Sequence, residues 1–115
     1  MIEKFKVEIS PDNRRYLNNL IYHYNNKFIP FYYLLKEFEL TLNIGFFYFL
    51  ATKLGVTYRQ IREVAYLDCP ISKPLEARIM NIINSFLQES DSFIISFDVQ
   101  EYDKGTLAYL YAVKI

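Results

Sequence analysis

Residues 49–87 read FLATKLGVTYRQIREVAYLDCPISKPLEARIMNIINSFL, and the fold turns on the string Leu50-Ala51-Thr52-Lys53-Leu54-Gly55-Val56-Thr57. Each residue type in that string has a mechanical use. Ala51 is small where two helices must approach closely. Gly55 permits the left-handed backbone that ends a helix and turns the chain. Val56 can fill the gap between the two helices, and Thr57 can cap the second with its hydroxyl. Ile61 and Val64 then give that second helix, over about 58–66, an inward face. The pattern therefore predicts two helices joined by a tight turn.

Upstream of this pair, residues 44–54 are apolar nearly all round and predict the most buried helix. Pro30 opens another, with Phe31, Leu34, Leu35 and Phe38 spaced as an i, i+3, i+4, i+7 stripe. Ser10-Pro11-Asp12 is a helix start, with a hydroxyl cap, a proline at the first helical position and an acid in the first turn. Tyr16, Leu17, Leu20, Ile21 and Tyr24 follow at helical spacing, and Asn25-Asn26 ends that run. Downstream, 67–70 is a loop, and Ser72 or Lys73 opens a last helix to Leu87 with Leu75, Ile79, Ile82, Ile83 and Phe86 facing inward.

Both ends alternate instead. Phe5, Val7 and Ile9 share one face of a half-buried strand over 2–9. Phe93, Ile95, Phe97 and Val99 do the same, and after a Tyr102-Asp103-Lys104-Gly105 turn so do Leu107, Tyr109, Tyr111, Val113 and Ile115. The expected architecture is α+β in a single domain over 1–115. About five helices, with the central pair inside a core at about 30–89, stand beside a small antiparallel sheet. That sheet joins the N-terminal strand to a C-terminal hairpin over 93–115.

The bulk composition narrows function mostly by exclusion. The 115 residues include 11 Tyr and 10 Phe but only one cysteine, Cys69, and one histidine, His23. One Cys and one His cannot hold a zinc cluster or form an intrachain disulfide. Cys69 has only that distant imidazole as a base, and no glycine-rich phosphate loop or paired-carboxylate motif is present. The expectation is a protein that is not an enzyme and needs no cofactor or metal. The opening MIEKFKVEIS has no apolar core of a signal peptide, and the longest near-apolar stretch, 40–51, is too short to span a bilayer. A cytoplasmic location without membrane contact is expected.

The string from Leu50 to Thr57 resembles the second helix and turn of the lambda-repressor/Cro-like (XRE-type) helix-turn-helix, a partial match over 46–87. The resemblance implies that 58–66 is a recognition helix presenting Tyr58, Arg59, Gln60, Arg62 and Glu63 to double-stranded DNA. Arg can pair with guanine and Gln with adenine in the major groove. Lys53, Thr57 and Lys73 would lie near phosphates. Such a protein would be a small transcriptional regulator of a phage, plasmid or mobile element. Arg59→Ala and Arg62→Ala would then abolish specific binding without lowering the melting temperature. Two departures stand out: Phe46-Phe47 occupy the usual Ser/Thr-Gln position, and the loop 67–70 replaces the usual glycine after the recognition helix.

Thirteen basic residues oppose thirteen acidic ones, for a formal net charge of zero. Between Lys53 and Arg78, five basic residues (Lys53, Arg59, Arg62, Lys73, Arg78) meet three acidic ones (Glu63, Asp68, Glu76), a surplus of only +2. Phosphate neutralisation supplies most nucleic-acid affinity, so a weak surplus argues for a competing class. That alternative is a protein-binding module on the same scaffold, such as a viral inhibitor of a host defence nuclease (anti-CRISPR-like) or an antitoxin-like partner. Tyr109 and Tyr111 on the last strand are the expected dimer or partner contacts, since an open strand edge invites pairing. A winged-helix variant, with 72–87 reading DNA and 102–105 as wing tip, ranks below the first assignment.

Overall fold

A computed structural model of the chain describes residues 2–42, 45–89 and 92–98. In order, the elements are β1 (Ile2–Glu8), α1 (Pro11–Asn25), α2 (Phe31–Leu42), α3 (Gly45–Leu54), α4 (Tyr58–Leu67), α5 (Lys73–Glu89) and β2 (Ser92–Asp98). Local chemistry fixes most of the helix ends. Ser10 caps α1, its hydroxyl accepting from the Asn13 N–H at 3.1 Å. Lys27, at φ 62°, closes that helix in a left-handed turn, with Phe28 N–H on the His23 carbonyl and Lys27 N–H on that of Tyr24. Ser72 caps α5 by accepting from Leu75 N–H at 3.3 Å.

Rows at helical spacing supply the core. Phe31, Leu34, Leu35, Phe38 and Leu42 of α2 meet Phe46, Phe47, Leu50, Ala51 and Leu54 of α3. Helix α5 adds Ile79, Met80, Ile83, Phe86 and Leu87, and α1 adds Leu17, Leu20 and Ile21. At the centre, the Phe46 ring lies 5.3 Å from Phe38, 5.6 Å from Phe86 and 6.1 Å from Phe49, centroid to centroid. Rings at these separations add to the stabilisation from burying their area. Most of the aromatic run is thus core, but Phe28 is 71% exposed.

The expected α+β class is corrected by this arrangement. Among the described residues the body is helical, five helices in sequence, with no sheet layer. Every buried core residue among those described lies on a helix except Ile9, in the link before α1. The physical reason is supply: α2, α3 and α5 carry enough apolar surface to satisfy one another. Among the described residues the strand segments form a two-stranded antiparallel ribbon, with Phe5 opposite Ile95. A ribbon of two strands is not a load of independent stability, and it leans on the helices. The expected second arm of the hairpin, its turn, Tyr109 and Tyr111 lie outside the described residues.

Candidate nucleic-acid interface

The joint between α3 and α4 is three residues long. Gly55 has φ +70°, and the Ala51 carbonyl accepts both the Gly55 N–H at 2.9 Å and the Val56 N–H at 3.1 Å. Val56 packs half-buried against the core. Thr57 then starts α4 with a reciprocal capping box. Its hydroxyl accepts from Gln60 N–H at 3.1 Å, and the Gln60 side-chain oxygen accepts from Thr57 N–H at 2.8 Å. Two otherwise orphaned donors are satisfied, which sets the direction of α4 from its first turn.

The structure gives the eight expected contact residues different standings. Arg59 points outward, its side chain 87% exposed, and pairs with Glu63 one turn on at 3.0 Å. Such an exposed i, i+4 pair stabilises by only about 0.3–0.5 kcal/mol, so a phosphate could compete for Arg59. Lys53 is exposed at the end of α3, its Nζ 5.7 Å from the Phe49 ring centroid. Lys73 is exposed at the start of α5. Thr57 and Gln60 are occupied with each other. Tyr58 is half-buried, its ring stacked on Tyr48 at 4.3 Å and 13°.

Arg62 is half-exposed but tethered. Its Nη1 lies 3.5 Å from Glu39 Oε1 of α2 and 3.2 Å from the Tyr58 hydroxyl, while its guanidinium carbon sits 4.6 Å over the Tyr66 ring. Tyr66 donates its own hydroxyl to Glu39 Oε1 at 2.5 Å. Glu39 is the only charged residue buried among those described, and its Oε2 has no hydrogen-bond partner. Burial first, then the hydrogen bond to Glu39 and the charge of that carboxylate, push the Tyr66 phenol up to about 12. Desolvation works against the Arg62 charge, but the Tyr58 hydrogen bond and the fields of Tyr58, Glu39 and Tyr66 outweigh it and raise its pKa.

Glu39 and Tyr66 were not among the expected site residues, whereas Arg62 and Tyr58 were, as DNA contacts. A trace of the cluster exists in the sequence: Glu39 stands four residues after Leu35, at the border of the α2 apolar stripe, where a carboxylate needs a partner. Phe46 and Phe47, which stand at the usual Ser/Thr-Gln position, are fully buried.

Between α4 and the start of α5 runs a groove of about 260 Å³, walled by Leu54, Val56, Ile61, Val64, Leu75 and Ile79. Gln60, Glu63 and Ser72 also line it. Cys69 lines the same groove half-buried. Among the described residues no group of three or more His, Cys, Asp and Glu side chains could hold a metal, and no helix is long and apolar enough to cross a membrane. Compared with known proteins, the chain matches no protein-family model, no curated protein and no solved structure.

Proposed function

We propose that this protein is a small helix-turn-helix regulator that binds double-stranded DNA, with α4 entering the major groove. The observation that carries the reading is the α3–α4 joint. Gly55 is left-handed, the connection is three residues long, and a capping box leaves Arg59 exposed on the first turn of α4. Helix N-termini favour anions, and Arg59 on the first turn of α4 and Lys73 at the start of α5 are both exposed. The direct contact set is narrower than the sequence implied. It rests on Lys53, Arg59 and Lys73, with the Thr57 cap close to the backbone.

Anisotropy of a labelled random duplex, titrated across a salt series, tests this. Wild-type affinity should fall with salt at a log–log slope of about −0.9 per phosphate contacted. Arg59→Ala/Lys73→Ala should flatten that slope by about 1.8 while the melting temperature stays put. An unchanged slope in the double variant would overturn the assignment.

A second reading is favoured by a specific observation. Gln60 and Arg62, two of the three expected base-reading side chains on α4, both make internal bonds. A helix-turn-helix scaffold that binds a protein partner has no need to free them. Absence of duplex binding even at low salt selects this reading.

A further inference from the structure

The Glu39–Arg62 pair is lopsided. The carboxylate side chain is 10% exposed and fixed on α2, whereas the guanidinium is 50% exposed and stands on the outer turn of α4. The two partners therefore differ in what they can do next. Glu39 cannot follow a ligand into solvent, because it would have to leave the α2–α4 contact. Arg62 can: its aliphatic stem is anchored on α4 and its head already sits at the surface. While Glu39 holds it, with Tyr58 and Tyr66 on its other sides, the guanidinium lies against its own helix.

We propose that Glu39 is a restraining residue that keeps Arg62 off anionic ligands, so that the free protein presents one cation fewer to DNA phosphates than its sequence suggests. This rests on the DNA reading given above. Glu39 acts as an internal competitor for the same guanidinium that a phosphate would take. Bidentate capture by a phosphate is the geometry for which guanidinium is suited. Glu39 competes as a carboxylate of like charge and similar shape, already in place. The restraint would suppress binding to DNA of any sequence, where phosphate contacts supply the affinity. Only a site offering further contacts to α4 would repay the release of Arg62. The unpartnered Oε2 fits such a role. A carboxylate present only to brace two helices would gain from a donor on that oxygen, and this one holds Arg62 and Tyr66 through Oε1 alone.

The test is Glu39→Gln in the full chain, with Glu39→Met as a second variant and thermal melts to confirm that both fold. Random-duplex binding is measured by anisotropy across the salt series. Freeing Arg62 adds one phosphate contact, so the slope should steepen by about 0.9, an added loss of about 3.5-fold in affinity between roughly 50 and 200 mM salt. Affinity at the lowest salt should rise severalfold. Glu39→Gln/Arg62→Ala should return the slope to the wild-type value, which a merely structural role for Glu39 would not do. If wild type binds and Glu39→Gln matches it in slope, the restraint is refuted and the DNA reading stands. If neither binds at any salt, the DNA reading falls and the restraint falls with it.

Discussion

Phe38 and Glu39 are neighbours on α2, both buried, and they meet that condition in opposite ways. Phe38 joins a cluster of rings with Phe46, Phe49 and Phe86, held by ring-on-ring packing. Glu39 turns toward α4 and is tolerated only because Arg62 and Tyr66 reach it. The ring cluster holds the helices together; the carboxylate decides how one of them presents its outer face. A buried charge contributes little net stability compared with an apolar side chain, because its desolvation offsets its pairing. Its presence at the α2–α4 contact therefore points to orientation more than to strength.

The comparison can be broken at either end. Phe46→Ala removes the hub of the ring cluster, and unfolding by urea should show a loss of about 3–5 kcal/mol. A loss under 1 kcal/mol would mean the rings repack freely and the core is not organised around Phe46. At the other end, Arg62→Ala leaves the Glu39 carboxylate with Tyr66 alone and should cost about 1–2 kcal/mol. Glu39→Met should cost less than that or stabilise, since it removes the need for a partner. Should Arg62→Ala prove neutral while Glu39→Met is severe, the pair is a brace and its orienting role is wrong. The expectation that Arg62→Ala spares the melting temperature is revised accordingly, while Arg59→Ala keeps it.

The smallest effect sharpens the comparison by spectroscopy. Tyr16 donates to Glu37 at 2.8 Å, and that hydrogen bond, ahead of burial and charge, pushes its phenol up to about 12, as burial and Glu39 do for Tyr66. The unfolded reference is about 10. Between about pH 10 and 12 the unfolded chain sheds these protons while the folded chain keeps them. The stability they contribute is complete below about 10 and is lost as pH rises toward 12. Tyr24, raised chiefly by burial, also titrates late. Tyrosinate absorbance should show Tyr16 and Tyr66 late as well, and Glu39→Gln should draw Tyr66 back toward 10. If Tyr66 stays at about 12, Glu39 does not govern it.

How much of this was legible depends on the range of the forces involved. Helix ends were readable because caps act within four residues: Ser10, Thr57 and Gly55 each stand where the sequence puts them, and α4 ends at Leu67, one residue beyond the expected boundary. The α2 stripe was readable because helical spacing is local. The sheet was over-read, since alternation in 2–9 and 93–99 reports which residues share a face but not how many strands assemble. Glu39 was missed for a related reason. Arg62 is 23 residues away in sequence, so the place of Glu39 beside the α2 stripe hints at a partner but nothing local says which. Of the site, the capping, with Gln60 three residues after Thr57, and the exposed Arg59 were within local reach, whereas the engagement of Arg62 needed the three-dimensional contacts.

Gly55 carries one more consequence. A β-carbon built there meets nothing within 4 Å, so the position is open in space and closed only in torsion. Size is therefore irrelevant to what residue 55 admits, and backbone handedness decides. Asn and Asp, which visit the left-handed region with little penalty, are the natural second choices, while Val and Ile are the poorest despite the room around them. Evolutionary drift at this joint would follow a conformational alphabet of three or four letters, and a chain that kept one of them could vary its neighbours without losing the turn.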